Sequence, residues 1–217
     1  MQEHARPTLD ALLSGEKTEM TREELLAFMS GEAAPRLRPY NGPSVPPNPH
    51  DLPWLVVGSS AAVYADLRHA PPYGPTVAVN RAMFDLPVKA DIGCTLHHEI
   101  TRELSQHYDG RLFCTRGTDY VTDVLPVREE WRNGTSGLYA VQIALHFGAR
   151  RVILCGIPID DNPHYNMERG LSRGIQEVVT MHREPWIKHA KELRAAGVRS
   201  MSGWTRGLLG GPDDYNI

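Results

Sequence analysis

The sequence predicts an α/β protein: a doubly wound, mainly parallel sheet with helices on both faces, preceded by an N-terminal helical arm. Three observations carry this reading. After Pro53, short apolar runs that end in small or polar residues alternate with helical stretches, the pattern of a parallel sheet covered by helices. Between Pro35 and Pro53 stand seven prolines, at 35, 39, 43, 46, 47, 49 and 53. Proline forbids regular helix and stiffens a connector, so residues 1–52 read as an arm and 53–217 as the α/β domain. The run from Arg132 to Ile157 joins a glycine- and hydroxyl-rich helix start, an apolar helix and a buried strand, which is a helix feeding a parallel strand.

Each element has its own warrant. A weak helical turn is expected over Leu9 to Leu13. Thr21 and Glu24 have capping-box spacing ahead of Leu25, Leu26 and Phe28, and Gly31 stops the pattern, predicting a short amphipathic helix over 21–30. The first strand is Trp54 to Val57, ending in Gly58-Ser59-Ser60 and followed by a helix through Leu67. Thr76 to Val79 is the second, ending in Asn80, and Ala90 to Cys94 the third, followed by a helical stretch around Glu99 to His107. Leu112 to Cys114 is the fourth. The helix from Thr135 carries Leu138, Val141, Ile143, Ala144, Leu145 and Phe147, and Gly148 ends it. It precedes the fifth strand, Val152 to Cys155. A long helix from about Met181 to Ala196 precedes the sixth, Val198 to Met201.

Composition narrows the partners. A formal charge of −3 and 23% charged residues in 217 supply no excess of Lys and Arg for a nucleic-acid backbone. No stretch approaches the ~18 apolar residues of a membrane span, and Glu3, His4 and Arg6 interrupt any signal-peptide core, so a cytoplasmic protein is expected. Cys94, Cys114 and Cys155 fall at or near strand ends and read as small buried residues rather than a disulfide framework or metal site.

In parallel sheets ligands bind beyond the carboxyl ends of the strands, where strand order reverses. Asn133 to Gly137, with two glycines and two hydroxyls at a helix start, is a seat for a phosphate or carboxylate, or simply a well-capped turn. Ser59 and Ser60 sit in a nucleotide-type first turn that lacks the three-glycine fingerprint; a small-residue turn is needed there in any case. Asn80 presents an amide suited to a base or ribose, or caps the next helix. The histidines His97, His98, His164, His182 and His189 show no zinc spacing. His182, placed at the start of the last long helix ahead of Pro185, is a candidate base or a solvated histidine. Asp160 and Asp161 suit Mg²⁺ bridging to phosphates, or turn chemistry.

Gly134-Thr135-Ser136-Gly137 through Gly156-Ile157 resembles the Thr-Ser-Gly helix and following strand of the bacterial sialyltransferases typified by the lipooligosaccharide enzymes of Campylobacter, and the related MptE-type pterin diphosphokinase-like domains. The resemblance covers about residues 53–202 and implies a Rossmann-like fold. It implies donor-nucleotide contacts from Thr135, Ser136, Gly137 and Asn80, with a CMP-linked sugar as donor. It also implies His182 as the catalytic base and Tyr165 as one of two tyrosines that steady the leaving phosphate; Asp160 stands where the other would fall. Gly58-Ser59-Ser60 replaces the family's Gly-Asn-Gly-Pro-Ser turn. Three functions stay open: a nucleotide-sugar glycosyltransferase, a Mg²⁺-dependent diphosphokinase-like enzyme, and a non-catalytic module of a viral or multi-subunit assembly. In the last, residues 1–50 would dock on a neighbour, a second copy of the chain included.

Overall fold

A computed structural model describes residues 37–131, 135–160 and 174–215; the helix expected over 21–30 and the turn over Leu9 to Leu13 lie outside them. Among the described residues seven strands form one sheet: β1 Trp54–Val57, β2 Thr76–Val79, β3 Ile92–Thr95, β4 Arg111–Cys114, β5 Asp123–Val124, β6 Val152–Cys155 and β7 Val198–Ser200. Their order is β5-β4-β3-β2-β1-β6-β7 and every pairing is parallel. The helices are α1 Val63–His69, α2 Ala82–Asp85, α3 Thr101–His107, α4 Ser136–His146, α5 Gly174–Ala195 and α6 Gly203–Leu209. None is long and apolar enough to cross a membrane.

The strands of the sheet's centre are apolar on both faces, and period two sorts their side chains. Trp54 and Val56 point into one core with α4, Trp186 and Leu193. Leu55 and Val57 point into the other with Val63, Met83 and Leu104 of the helices that follow β1, β2 and β3. All three cysteines are buried, divided between the two cores. From Ser136 to Ala144 every residue of α4 is buried, because the helix packs on β1, β2 and β3 in the core that Trp186 and Leu193 of α5 also join. Gly148, with φ +83°, ends the turn that follows it.

Boundaries moved where side-chain contacts intervene. The third strand begins at Ile92 because Tyr108 Oη donates to the Ala90 carbonyl and Asp91 Oδ2 accepts from Thr76 N. The last long helix starts at Gly174, so His182 lies inside it rather than at its start, and Pro185 is accommodated within the helix. The two-residue strand β5 is too short to show alternation. It is held at the sheet edge by Arg111, whose guanidinium meets Asp123 at 2.7 and 2.9 Å and lies over Phe113 and Phe147. Connector residues reach the same edge: Arg38 donates to the carbonyls of Tyr108 and Gly110, and Arg111 to that of Ser44.

The chain steps outward from β1 to β5 and then returns to place β6 on the other side of β1. That reversal makes the carboxyl ends of β1 and β6 the switch point, the place where ligands bind in sheets of this kind. Gly58 and Gly156 meet there: Gly58 N donates to Cys155 O at 2.8 Å, and Ser60 N to Gly156 O at 3.1 Å. A Cβ on Gly156, whose φ is +64°, would stand 2.7 Å from both Gly58 O and Val63 Cβ. Gly156→Ala is expected to cost about 2–4 kcal/mol, left-handed strain plus overpacking. Gly148→Ala, with a similar φ but nothing within 4 Å of the new Cβ, should cost only about 1–2 kcal/mol. Urea unfolding of the two variants tests this order; equal costs would remove the close approach as a constraint.

Candidate functional site

The residues singled out in the sequence gather along the carboxyl edge of the sheet, to differing degrees. Asn80 ends β2 at φ +52°, with its N–H bonded to Cys94 O at the end of β3. Its backbone carbonyl accepts from Met83 N, but its side chain caps nothing: Oδ1 is buried and has no hydrogen-bond partner among the described residues. An unmet buried acceptor is costly, on the order of 1–3 kcal/mol.

Thr135 is the N-cap of α4, its Oγ1 accepting from Leu138 N at 3.2 Å and from Trp186 Nε1 at 3.3 Å. Trp186 therefore braces this helix start from α5. Ser136 is buried, and its Oγ accepts a long 3.4 Å bond from Leu96 N, tying α4 to the loop after β3. Gly137 has a packing role: a Cβ there would lie 3.1 Å from Ile157 Cγ2, so its smallness lets α4 close on the mouth of β6. Ser60 Oγ is within 3.4 Å of Ala62 N, a turn contact at the start of α1. Ser59 lies in the same turn. Asn133, Asp161 and Tyr165 lie outside the described residues.

His182 is exposed on α5. Partial desolvation, then the nearby charge of His97, push its pKa below the ordinary histidine value. His97 belongs to the loop after β3, its N–H bonded to Thr95 Oγ1. Thus Ser136 is bonded to Leu96 of the loop after β3, His97 of the same loop lies within electrostatic reach of His182, and Asn80 is tied through its N–H to the end of β3.

The segment after β6 is held more firmly than its sequence suggests. Gly156 N donates to Asp66 Oδ2 at 2.8 Å. Thr205 Oγ1 donates to Ile157 O at 2.7 Å, and Arg183 Nε to Ile159 O at 2.9 Å. Ile159 adopts φ +46°, an outlier for a β-branched residue that surrounding bonds must sustain. Asp160 lies over the start of α6, its Oδ2 facing Gly203. Among the described residues no cluster of three His, Cys, Asp or Glu is arranged to hold a metal.

A cavity of about 590 Å³ opens on the β3–β4 side of the α4 N-terminus, bordered by Leu96, Thr115, Arg116, Trp131, Thr135 and Leu138 among others. Of the residues expected from sequence only Thr135 reaches it. Arg116 and Trp131 had no local signal, because they lie in the irregular stretch around β5. Asp66, buried on the first turn of α1, carries no signal in the local sequence that sets it apart.

The all-parallel sheet, its switch point between β1 and β6 and the capped start of α4 define a Rossmann-like α/β fold. The sialyltransferase CstII from Campylobacter jejuni, solved in complex with the substrate analogue CMP-3FNeuAc, shares this fold at 12% identity and TM-score 0.51, over 74% of this chain and 86% of that one. Sialyltransferase CST-II in complex with a trisaccharide acceptor and CMP does so at 12% identity and TM-score 0.51, over 76% and 88%. No protein-family model and no curated protein matches the chain.

Asp66 titration offers a direct check on the switch point. Burial raises its pKa, opposed by the hydrogen bonds from Gly156 and Ser202. A carboxyl with a folded pKa above its unfolded value contributes stability that is full below the unfolded pKa, near 3.8, and is lost as pH rises through the folded pKa. Asp66→Asn keeps an acceptor but cannot ionise. Urea unfolding across this range should show the stability difference moving in favour of Asp66→Asn as pH rises; a pH-independent difference would show that Asp66 titrates as it does in the unfolded chain.

Proposed function

We propose that the protein is a nucleotide-sugar-dependent glycosyltransferase-like enzyme, with a cytidine nucleotide donor lying across the ends of β1 and β2 and its phosphate directed toward the N-terminus of α4. The observation that carries this is Asn80. Its unpartnered buried Oδ1 calls for a ligand N–H or O–H, which a base amine or ribose hydroxyl supplies. The capped start of α4, eleven residues long, adds N–H groups and the positive end of a helix dipole. The fold shared with a sialyltransferase solved with a CMP-sugar analogue supports the same class of donor.

His182 is the proposed base. Glycosyl transfer requires the attacking hydroxyl to lose its proton as the sugar–phosphate bond breaks, and a neutral imidazole accepts it. The lowered pKa of His182 keeps the ring neutral at physiological pH. Tyr165 is proposed to steady the departing phosphate, whereas Asp160, a carboxylate, would act there only through a bound Mg²⁺.

Thermal shifts with cytidine, uridine, guanosine and adenosine nucleotides, with and without Mg²⁺, test the donor. A cytidine nucleotide should raise the melting temperature most, because a ligand that binds only the native state stabilises it. Asn80→Ala should weaken that binding about tenfold. His182→Ala should leave nucleotide binding intact and lower turnover by roughly 10²- to 10⁴-fold. The acid limb of the wild-type rate profile should fall below about pH 6.5, the ordinary histidine value. Nucleotide binding without turnover, unchanged in His182→Ala, would make the protein a binding module instead.

A further inference from the structure

The cavity beside α4 is chemically unlike the edge around Asn80. Trp131 lines it, is only 1% exposed, and its buried Nε1–H has no acceptor among the described residues. Arg116 brings a cation with no ion-pair partner among those residues. Thr135 brings a hydroxyl to its border. Every one of these is a donor, and no acidic side chain among the described residues lines the cavity.

Of the other polar lining groups two are already engaged, and Thr115 adds a single hydroxyl. Tyr139 Oη donates to Leu125 O at 2.8 Å, while Gln142 spans Pro126 O at 2.7 Å and Arg128 N at 3.1 Å. What they leave toward the cavity is largely hydrocarbon, joined by Leu96 and Leu138. A sugar needs many hydrogen-bonding partners, and among the described residues this lining offers few. An anionic head on an apolar body satisfies both halves, in a volume typical of small-molecule sites, roughly 300–1,000 Å³.

We infer that this cavity binds a small organic anion, a carboxylate or phosphate ester carrying an apolar body, held by Arg116 and Trp131 separately from the nucleotide over Asn80. Such an anion is the class of second substrate or effector this protein takes in place of a polyhydroxylated sugar. The inference does not depend on the nucleotide reading.

Calorimetric titration of the full chain with benzoate, phenyl phosphate, benzyl alcohol and galactose tests it, with CMP titrated in parallel. At least one of the two anions should bind, and the tighter identifies the head group. Benzyl alcohol and galactose should bind at least about tenfold more weakly, since hydrogen bonds to a charged group are the stronger ones. Arg116→Gln and Trp131→Phe should each weaken the anion about tenfold and leave CMP binding unchanged. Arg116 is exposed, so its variant stays informative if Trp131→Phe fails to fold. Equal binding of benzyl alcohol or galactose, anion binding unaltered in Arg116→Gln, no binding of either anion to folded protein, or displacement of the anion by CMP would each overturn the inference. Failure of CMP to bind would overturn only the nucleotide reading.

Discussion

Much of this structure depends on how closely two backbones pass at the carboxyl ends of β1 and β6. Gly58 and Gly156 lie so near that neither accepts a Cβ without displacing the other's strand end: on Gly58 it would stand 2.5 Å from Gly156 O. These strands are neighbours only through the chain's return from the far edge, so their contact fixes the switch point of the sheet. Asp66 then draws two parts of the chain to it, accepting from Gly156 N and from Ser202 Oγ on one carboxylate oxygen. A buried carboxylate is tolerated where such donors converge. Here they pin the turn after β6 and the entry to α6 to the first helix.

The second organising element is α4. Burial along its length makes it a rigid wedge against β1, β2 and β3, so its N-terminus is fixed relative to the strand ends. Thr135 caps it, Trp186 reaches across from α5 to the same hydroxyl, and Leu96 ties it to the loop after β3. The cavity borders this start, and its lining does not include Asn80, whose buried acceptor is unmet at the end of β2. The stretch leading to Trp131 is held on the far wall by Arg128, which lies over the Trp131 ring and pairs with Glu192 of α5 at 2.8 Å.

The parallel sheet, the succession of β1, β2, β4, β6 and β7 and the capped start of α4 were legible because buried strands and apolar helices leave continuous local patterns. The small residues Ser59, Gly137 and Gly156 were legible as punctuation, although Gly137 proved to face Ile157. Helix length was less so: α5 runs through Pro185, and its packing through Trp186 and Leu193 overrides the local signal for a boundary.

By itself, the sequence determined the fold class, the edge of the sheet at which polar residues collect, and the chemical types available there. Tertiary structure alone decided which of them act together. Asp66 looks like an ordinary helical carboxylate until burial against Gly156 and Ser202 gives it two donors and a raised pKa. Trp131 and Arg116 carry no periodicity, and become a pair only because α4 and the stretch around β5 enclose the same volume. The physical reason is common to all three: hydrophobic pattern is a property of neighbours along the chain. Desolvation and the pairing of donors with acceptors belong to neighbours in space.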